Sequence, residues 1–455
     1  MMRPLSLSEL TTPLRGTLCG VDAQFSRVST DSRSLRPGEL FVALQGESFD
    51  GHNYLSQVAQ AGAAAALVSR QQPLELPQLL VEDTLLGLGR LGAYNRQLYS
   101  GPLVAITGSS GKTTVKNMVH AVLSERGNTL ATEGNFNNEV GVPLTLLRLE
   151  PSVEFAVVEM GAAKAGDINW LCELGRPSVA LLLNAMPAHL QGFGSVDDVA
   201  AAKGEIFDGL EAGDCAVINA DQPWAPQWRR RAGEATVLDF GLQQTAAITA
   251  TAIQPRGLEG ISFIASTPAG ELPVRLALPG VHNVANALAA IAVGLACELS
   301  LAQICQGLES VRPVQGRLLA LRSTGGATVI DDCYNANPGS VRAALDLLAA
   351  CEGRRTLILG AMKELGPESA ALHREVGEYA REAGIDQLWG VGEETADTVQ
   401  GFGEGGRHFA DREALLAVAG GELGEGDSVL VKGSRSAGME RVLHALVGDP
   451  VSGED

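Results

Sequence analysis

Short apolar runs bounded by glycine, proline and polar clusters recur along the chain, with helical spacing of apolar residues between them. Leu103-Val104-Ala105-Ile106 is the kind of run that a strand buried on both faces needs. After a loop of small residues, Val115, Met118, Val119, Val122 and Leu123 fall at i, i+3, i+4, i+7 and i+8, one face of a helix that Gly127 can end. Further runs at 155–158, 179–183 and 215–218 alternate with helical stretches and predict a doubly wound parallel sheet. Upstream, 41–44 and 66–68 read as strands around an alanine-rich helix from Tyr54 to Ala66, and Thr84 to Arg96 as a helix leading into the central sheet. Between 245 and 278, segments around Pro255-Arg256-Gly257 and Pro268-Ala269-Gly270 predict a small antiparallel appendage, followed by a helix from Asn283 to Cys297. Arg312-Pro313 marks a hinge. Beyond it, strands at 327–330, 356–359, 387–391 and 428–431 alternate with helices near 339–351, 368–383, 411–419 and 436–446, and a short acidic tail begins at Pro450.

The chain's 455 residues exceed one hydrophobic core, so the expected class is α/β in three domains, divided as 1–83, 84–312 and 313–455. A net charge of −19 argues against a nucleic-acid surface, which needs a basic stripe. An anionic ligand would therefore have to be met by basic residues gathered locally. The seven cysteines are scattered, odd in number and never spaced C-x-x-C, which reads as reduced core thiols. The start, MMRPLSLSELTTPL, lacks a positive segment followed by an apolar core, and nothing approaches a membrane span. A cytoplasmic monomer is the expectation.

The candidate chemistry centres on Thr107-Gly108-Ser109-Ser110-Gly111-Lys112-Thr113-Thr114, between the strand and the helix. That geometry turns backbone N–H groups and a helix N-terminus onto a phosphate chain, with Lys112 on the outer phosphates and the Thr113 hydroxyl available to Mg²⁺. The spacing is shorter than the usual G-x-x-x-x-G-K-[ST], because Ile106 stands where that pattern has glycine. Glu159 ends a neighbouring strand, where a metal-binding carboxylate is needed. Thr107, Asn184 and Asn219 are other polar residues at strand ends, where such sheets bind ligands. His189 and Lys203 lie near the same predicted crevice edge, while three asparagines crowd Thr132 to Pro143. They serve equally as turn formers or as neutral donors to a sugar or carboxylate. Asn283 opens a helix, where capping is the simplest role. Asp331-Asp332 has adjacent carboxylates suited to ribose hydroxyls, and Lys432 and Arg435 flank a loop–helix junction.

In this order, G-S-S-G-K-T-T, G-N-x-N-N-x-x-G-V-P, E-M-G, P-A-H-L-x-G-F-G-S, A-K-G-E-I, G-x-H-N-x-x-N, D-D-x-Y-N-A-N-P and K-G-S-R resemble the Mur ligase family of ATP-dependent amide-forming enzymes. The match spans nearly the whole chain. The last two blocks point to the member activity that joins D-Ala-D-Ala to UDP-N-acetylmuramoyl-tripeptide through an acyl phosphate. The resemblance implies ATP at Gly108, Ser109, Ser110, Gly111, Lys112, Thr113 and Thr114. It places Asn283 and Asn286 at adenine, Asp332 at ribose and Arg317 at the phosphates. It implies two Mg²⁺ ions on Thr113, Glu159, His189 and Lys203, the last as a carbamate, and catalysis by Lys112, Lys203, His189 and Arg317. Thr30, Asp31, Ser32, Arg33, Asp50 and His52 would hold the UDP-sugar, and Asn135, Asn137 and Asn138 its muramoyl and diphosphate region. Tyr334, Asn335, Asn337, Lys432 and Arg435 would lie near the dipeptide. A P-loop ATPase or kinase, a nucleotide-gated binding module and a folylpolyglutamate-type ligase are the competing readings. The N-terminal sugar-nucleotide unit speaks against the last.

Overall fold

The computed structural model describes residues 2–187 and 190–448. His189 and the tail from Pro450 lie outside the described residues. Three separate sheets carry the α/β architecture. The N-terminal one has five strands in the order Thr17–Cys19, Gln78–Leu80, Ala65–Val68, Leu40–Val42, Val28–Ser29, parallel except at Thr17–Cys19. The helix expected from Tyr54 to Ala66 is shorter. A 3₁₀ turn, Gly51–Tyr54, leads into a helix over Leu55–Gln60, and Ala65 already belongs to the next strand. Alanine favours helix, but Gly62, at φ +86°, ends it and tertiary pairing takes the remaining alanines.

The central sheet is six-stranded and parallel, in the order Thr236–Phe240, Cys215–Asn219, Val179–Leu182, Leu103–Thr107, Phe155–Glu159, Thr129–Ala131. Leu103–Thr107 is the first of these strands in the chain. The next two lie on one side of it and the later ones on the other, so strand order reverses here. The crevice at the carboxyl end of such a reversal is where open α/β sheets bind ligands. Alternation along the strand supplies both layers: Val104 and Ile106 join one core, Leu103 and Ala105 the opposite one. The helix Lys112–Ser124 buries the predicted face, Val115, Met118, Val119, Val122 and Leu123, completely. Each such side chain contributes roughly 1.5–3 kcal/mol, which outweighs the ~0.3–1 kcal/mol that a lysine at the helix N-terminus costs.

The antiparallel appendage has three strands, Thr249–Pro255, Ile261–Thr267 and Gly270–Leu276, as expected. The helix His282–Ala296 packs against Lys112–Ser124. The C-terminal sheet orders Leu319–Arg322, Thr328–Asp332, Ser428–Lys432, Arg355–Gly360, Gln387–Val391, Gly406–Phe409 and is parallel apart from the first strand. All seven cysteines are free. Among the described residues no helix is long and apolar enough to cross a membrane.

Candidate active site between the central and C-terminal domains

The glycine loop sits at the end of Leu103–Thr107. Gly111 is the residue before the helix, at φ +83°, a conformation that favours glycine, and a Cβ there would come within 2.9 Å of Asn286 Oδ1, so that side chain would have to shift. No side chain caps this helix, and Val115 N–H is its first amide to find a backbone acceptor, Gly111 O at 2.9 Å. The preceding amides are thereby available to an anion. The loop is braced from the neighbouring strand end. Ser110 N–H donates to Asn184 Oδ1 (2.9 Å), Asn184 Nδ2 returns a bond to Ser110 O (3.1 Å), and Met186 N–H donates to Ser109 Oγ (3.0 Å). The two serines thus shape the loop from Asn184 and Met186.

Lys112 Nζ donates to Gly108 O at 2.8 Å. Burial lowers its pKa, the nearby Glu159 opposes that, and Arg317 adds to it. The Thr113 hydroxyl donates to Glu159 Oε2 at 3.1 Å, and Asn137 Nδ2 to Glu159 Oε1 at 2.8 Å. Arg317 Nη2 reaches Thr113 Oγ1 at 3.3 Å from the start of the C-terminal unit. Lys203 is only 2% exposed and makes no ion pair with a described residue. Burial first, and Lys112 second, push its pKa down to about 7.

These residues line one cleft of about 710 Å³ that spans the central and C-terminal domains. Gly108 to Thr114, Asn135, Asn137, Asn138, Glu159, Lys203, Asn283, Asn286, Arg317, Asp332, Tyr334, Asn335, Asn337 and Lys432 all reach it. Asn283 is a buried residue inside its helix rather than the cap. Its Nδ2 donates to Pro279 O (2.7 Å) and its Oδ1 accepts from Asn286 (2.9 Å). Of the paired carboxylates, Asp332 faces the cleft and pairs with Lys432, which also donates to Asn335 O at 2.9 Å. Asp331 is fully buried and accepts from Gly316 N–H at 2.7 Å. Arg435 lies outside the cleft lining, its guanidinium carbon 6.0 Å from the Tyr334 ring centroid.

Thr30, Asp31, Ser32, Arg33, Asp50 and His52 do not line this cleft. They cluster at the carboxyl edge of the N-terminal sheet, after Val28–Ser29 and Leu40–Val42. Arg33 grips both Asp31 oxygens and holds that carboxyl down to about 2. Arg70 bonds Asp50 Oδ2 at 2.5 Å and, with the His52 backbone, holds Asp50 at about 2. His52 is buried and fully used, Nδ1 facing Asp50 (2.7 Å) and Nε2 accepting from Ser69 N–H (3.0 Å).

Among the residues around the main cleft that sequence reasoning missed, three stand out. Asn117 lines it one helical turn past Thr113, a spacing that could have revealed it. Gln222 lines it and accepts from Ala185 N–H at 3.0 Å, with no sequence signal. Lys116 is buried behind it, donating to Thr132 O at 2.7 Å where the asparagine loop begins.

Fold and cleft together define a three-domain α/β protein whose central sheet presents a glycine loop, Lys112 and an uncapped helix N-terminus to a cleft shared with the C-terminal domain. The Mur ligase middle domain matches residues 106–294, the Mur ligase glutamate ligase domain 316–435, and the Mur ligase family catalytic domain 24–85. The UDP-N-acetylmuramoyl-tripeptide–D-alanyl-D-alanine ligase of Escherichia coli K12 is 46% identical over 450 residues, covering 98% of this chain and 99% of the relative. A crystal structure of MurF from Acinetobacter baumannii has a TM-score of 0.93 at 35% identity, covering 98% of this chain and 99% of that one. That of the Thermotoga maritima MurF ligase in complex with ADP has a TM-score of 0.82 at 28% identity, covering 92% and 96%. The chain belongs to the Mur ligase family.

Proposed function

We infer that this chain joins D-Ala-D-Ala to UDP-N-acetylmuramoyl-tripeptide, using ATP and giving the UDP-muramoyl-pentapeptide, ADP and phosphate. A carboxylate cannot lose oxide to an amine in water, so it must first be activated. The tripeptide carboxylate oxygen attacks the γ-phosphorus, the bond to the bridging oxygen breaks, and ADP leaves. The dipeptide amine then attacks the acyl carbon, and the C–O bond to phosphate breaks. Charge builds on the transferring phosphoryl group, and fixed cations in a water-poor cleft stabilise it. In this reading Lys112 and Arg317 are those cations, and the amides at the start of the helix hold the other phosphates. Asn286, with Asn283 behind it, faces adenine, and Asp332 the ribose.

Cis oxygens around an octahedral Mg²⁺ lie about 3 Å apart, given metal–oxygen distances of about 2.0–2.1 Å. The Thr113 and Glu159 oxygens, 3.1 Å apart, fit that spacing. Mg²⁺ held there would neutralise phosphate charge, while Asn137 keeps the carboxylate turned. A second ion is assigned to His189 and to Lys203 as its carbamate. The reading further places the UDP-sugar on the N-terminal cluster, with Asn135, Asn137 and Asn138 toward its muramoyl part. The dipeptide lies beside Asn335, Asn337, Lys432 and Arg435. The proposal keeps the domain division 1–83, 84–312 and 313–455 and takes the enzyme as a cytoplasmic monomer that binds no nucleic acid.

The observation that carries this reading is one cleft lined by Lys112, Thr113, Glu159 and Arg317 together with the Asp332–Asn337 loop and Lys432. It is tested by phosphate release from purified protein given ATP, Mg²⁺, the tripeptide nucleotide and D-Ala-D-Ala. Release should depend on the dipeptide, and Lys112→Ala should lower it at least a hundredfold, since a preorganised electrostatic contact of this kind is worth about 3 kcal/mol or more. Phosphate release indifferent to the dipeptide would overturn the ligase reading.

A further inference from the structure

The Asp331–Tyr334 loop does something the ligand assignments above leave out. Arg317 is the cleft cation that must reach from the C-terminal unit to Thr113 in the central domain, and a long side chain does not hold such a pose unaided. Its guanidinium carbon lies 4.2 Å from the Tyr334 ring centroid, close stacking for a cation on an aromatic face. The backbone beneath is fastened at three points. Gly316 N–H donates to Asp331 Oδ2 at 2.7 Å, Cys333 N–H to Asp331 Oδ1 at 3.2 Å, and Tyr334 N–H to Gly316 O at 3.3 Å. Gly316 has φ +77°, and a Cβ there would sit 3.1 Å from Tyr334 Cβ, so the two loops touch closely.

We propose that Asp331 and Tyr334 are positioning residues: Asp331 fixes the turn that carries Arg317, and the Tyr334 ring lays its guanidinium against Thr113. Tyr334 then acts on the phosphoryl-transfer end of the cleft rather than as a contact to the dipeptide. The proposal builds on the ligase reading, and its binding arm needs only MgADP, so the two fail separately.

Six variants test it: Arg317→Met, Tyr334→Phe, Tyr334→Leu, Asp331→Asn, and the doubles Arg317→Met/Tyr334→Leu and Arg317→Met/Asp331→Asn. Calorimetric titration with MgADP and steady-state kinetics provide the readouts. Tyr334→Phe keeps the ring and should restore most of the kcat and MgADP affinity that Tyr334→Leu loses. Tyr334→Leu should lower kcat by roughly threefold to thirtyfold, the range of a partly desolvated cation–π contact, with KM for D-Ala-D-Ala unchanged. It should weaken MgADP in the same direction as Arg317→Met and add nothing in the double variant. Asp331→Asn, read by the same titration, should weaken MgADP in the Arg317 protein and have no effect in the Arg317→Met protein. A Tyr334→Leu protein with normal kcat and a raised dipeptide KM would overturn the proposal. So would full additivity of Tyr334→Leu with Arg317→Met, or loss of activity in Tyr334→Phe.

Discussion

Lys203 is the residue whose surroundings least suit an ordinary lysine. Its side chain is buried at the cleft, has no carboxylate partner among the described residues, and stands close enough to Lys112 to be repelled by it. Burial first, and the neighbouring cation second, disfavour the ammonium, so with a pKa of about 7 a share of the side chain is neutral amine near pH 7. Neutral amine is the form that takes up CO₂, and a carbamate would turn the repulsion by Lys112 into attraction. Lys203→Ala should therefore lose most activity and regain part of it with added formate or acetate, with the small carboxylate replacing the lost oxygens. Labelled bicarbonate should also leave a carbamate signal in the parent and none in the variant. No recovery at any carboxylate concentration would leave Lys203 as a plain cation. At this scale the sequence was informative where chemistry is local. The lysine, the two threonines and Glu159 could be placed because a strand–loop–helix pattern fixes where they point. Lys116 and Gln222 act through backbone groups in segments that follow other strands, which no local pattern encodes.

Among the elements, the helices Ser369–Glu382 and Ala396–Phe402 make the closest helix pairing in the C-terminal domain, and two glycines permit it. A Cβ at Gly377 would lie 2.0 Å from Thr398 O, and one at Gly401 2.3 Å from Arg374 O, both against backbone that cannot rotate away. The helices must separate to admit a methyl. Gly377→Ala gains helix propensity of about 1 kcal/mol, but overpacking costs roughly 1–3 kcal/mol or more, so the net effect should be destabilising. Denaturant unfolding of Gly377→Ala and Gly401→Ala should show lowered midpoints, and a midpoint raised in either would contradict the packing. The same logic explains which elements were legible. Strands and helices with a strong apolar period were found, such as Lys112–Ser124, and so was Thr84–Gln97, which is capped by Asp83 through Leu85 and Leu86 N–H. Leu319–Arg322, an antiparallel edge strand of alternating exposure, was missed although Leu318-Leu319-Ala320-Leu321 is an apolar run of four between arginines. The helix Leu301–Ser310 was missed although its capping box, Ser300 with Gln303, stands in the sequence.

Across the molecule, acid sensitivity follows from where the histidines sit. His120, His282 and His373 all have pKa values lowered chiefly by burial. His373 is the most fully enclosed. Its Nδ1–H donates to Ser369 O at 2.8 Å and its Nε2 accepts from Met362 N–H at 3.1 Å, so the neutral ring is built into the fold. Glu394 and Asp397 oppose the shift and Lys363 adds to it, without reversing its direction. A base held below its ordinary value of 6.5 binds more protons when unfolded. Its contribution is therefore intact above about pH 6.5 and lost as pH falls through the folded value, at up to about 1.4 kcal/mol per unit for each histidine. The lowered carboxylates, Asp31 and Asp50 at about 2, act only once pH drops below about 4. Stability should thus begin to decline near pH 6.5, well before Asp31 and Asp50 titrate. Met362 lies in the loop whose Glu364 O accepts Leu190 N–H from the central domain at 3.1 Å, so protonating His373 should loosen that interdomain contact as well. Urea unfolding followed from about pH 8 to about pH 5 should show a falling midpoint, and His373→Gln, which can still donate and accept, should flatten the C-terminal part of it. Equal midpoints across that range in the parent protein would show that these histidines fold as readily charged as neutral.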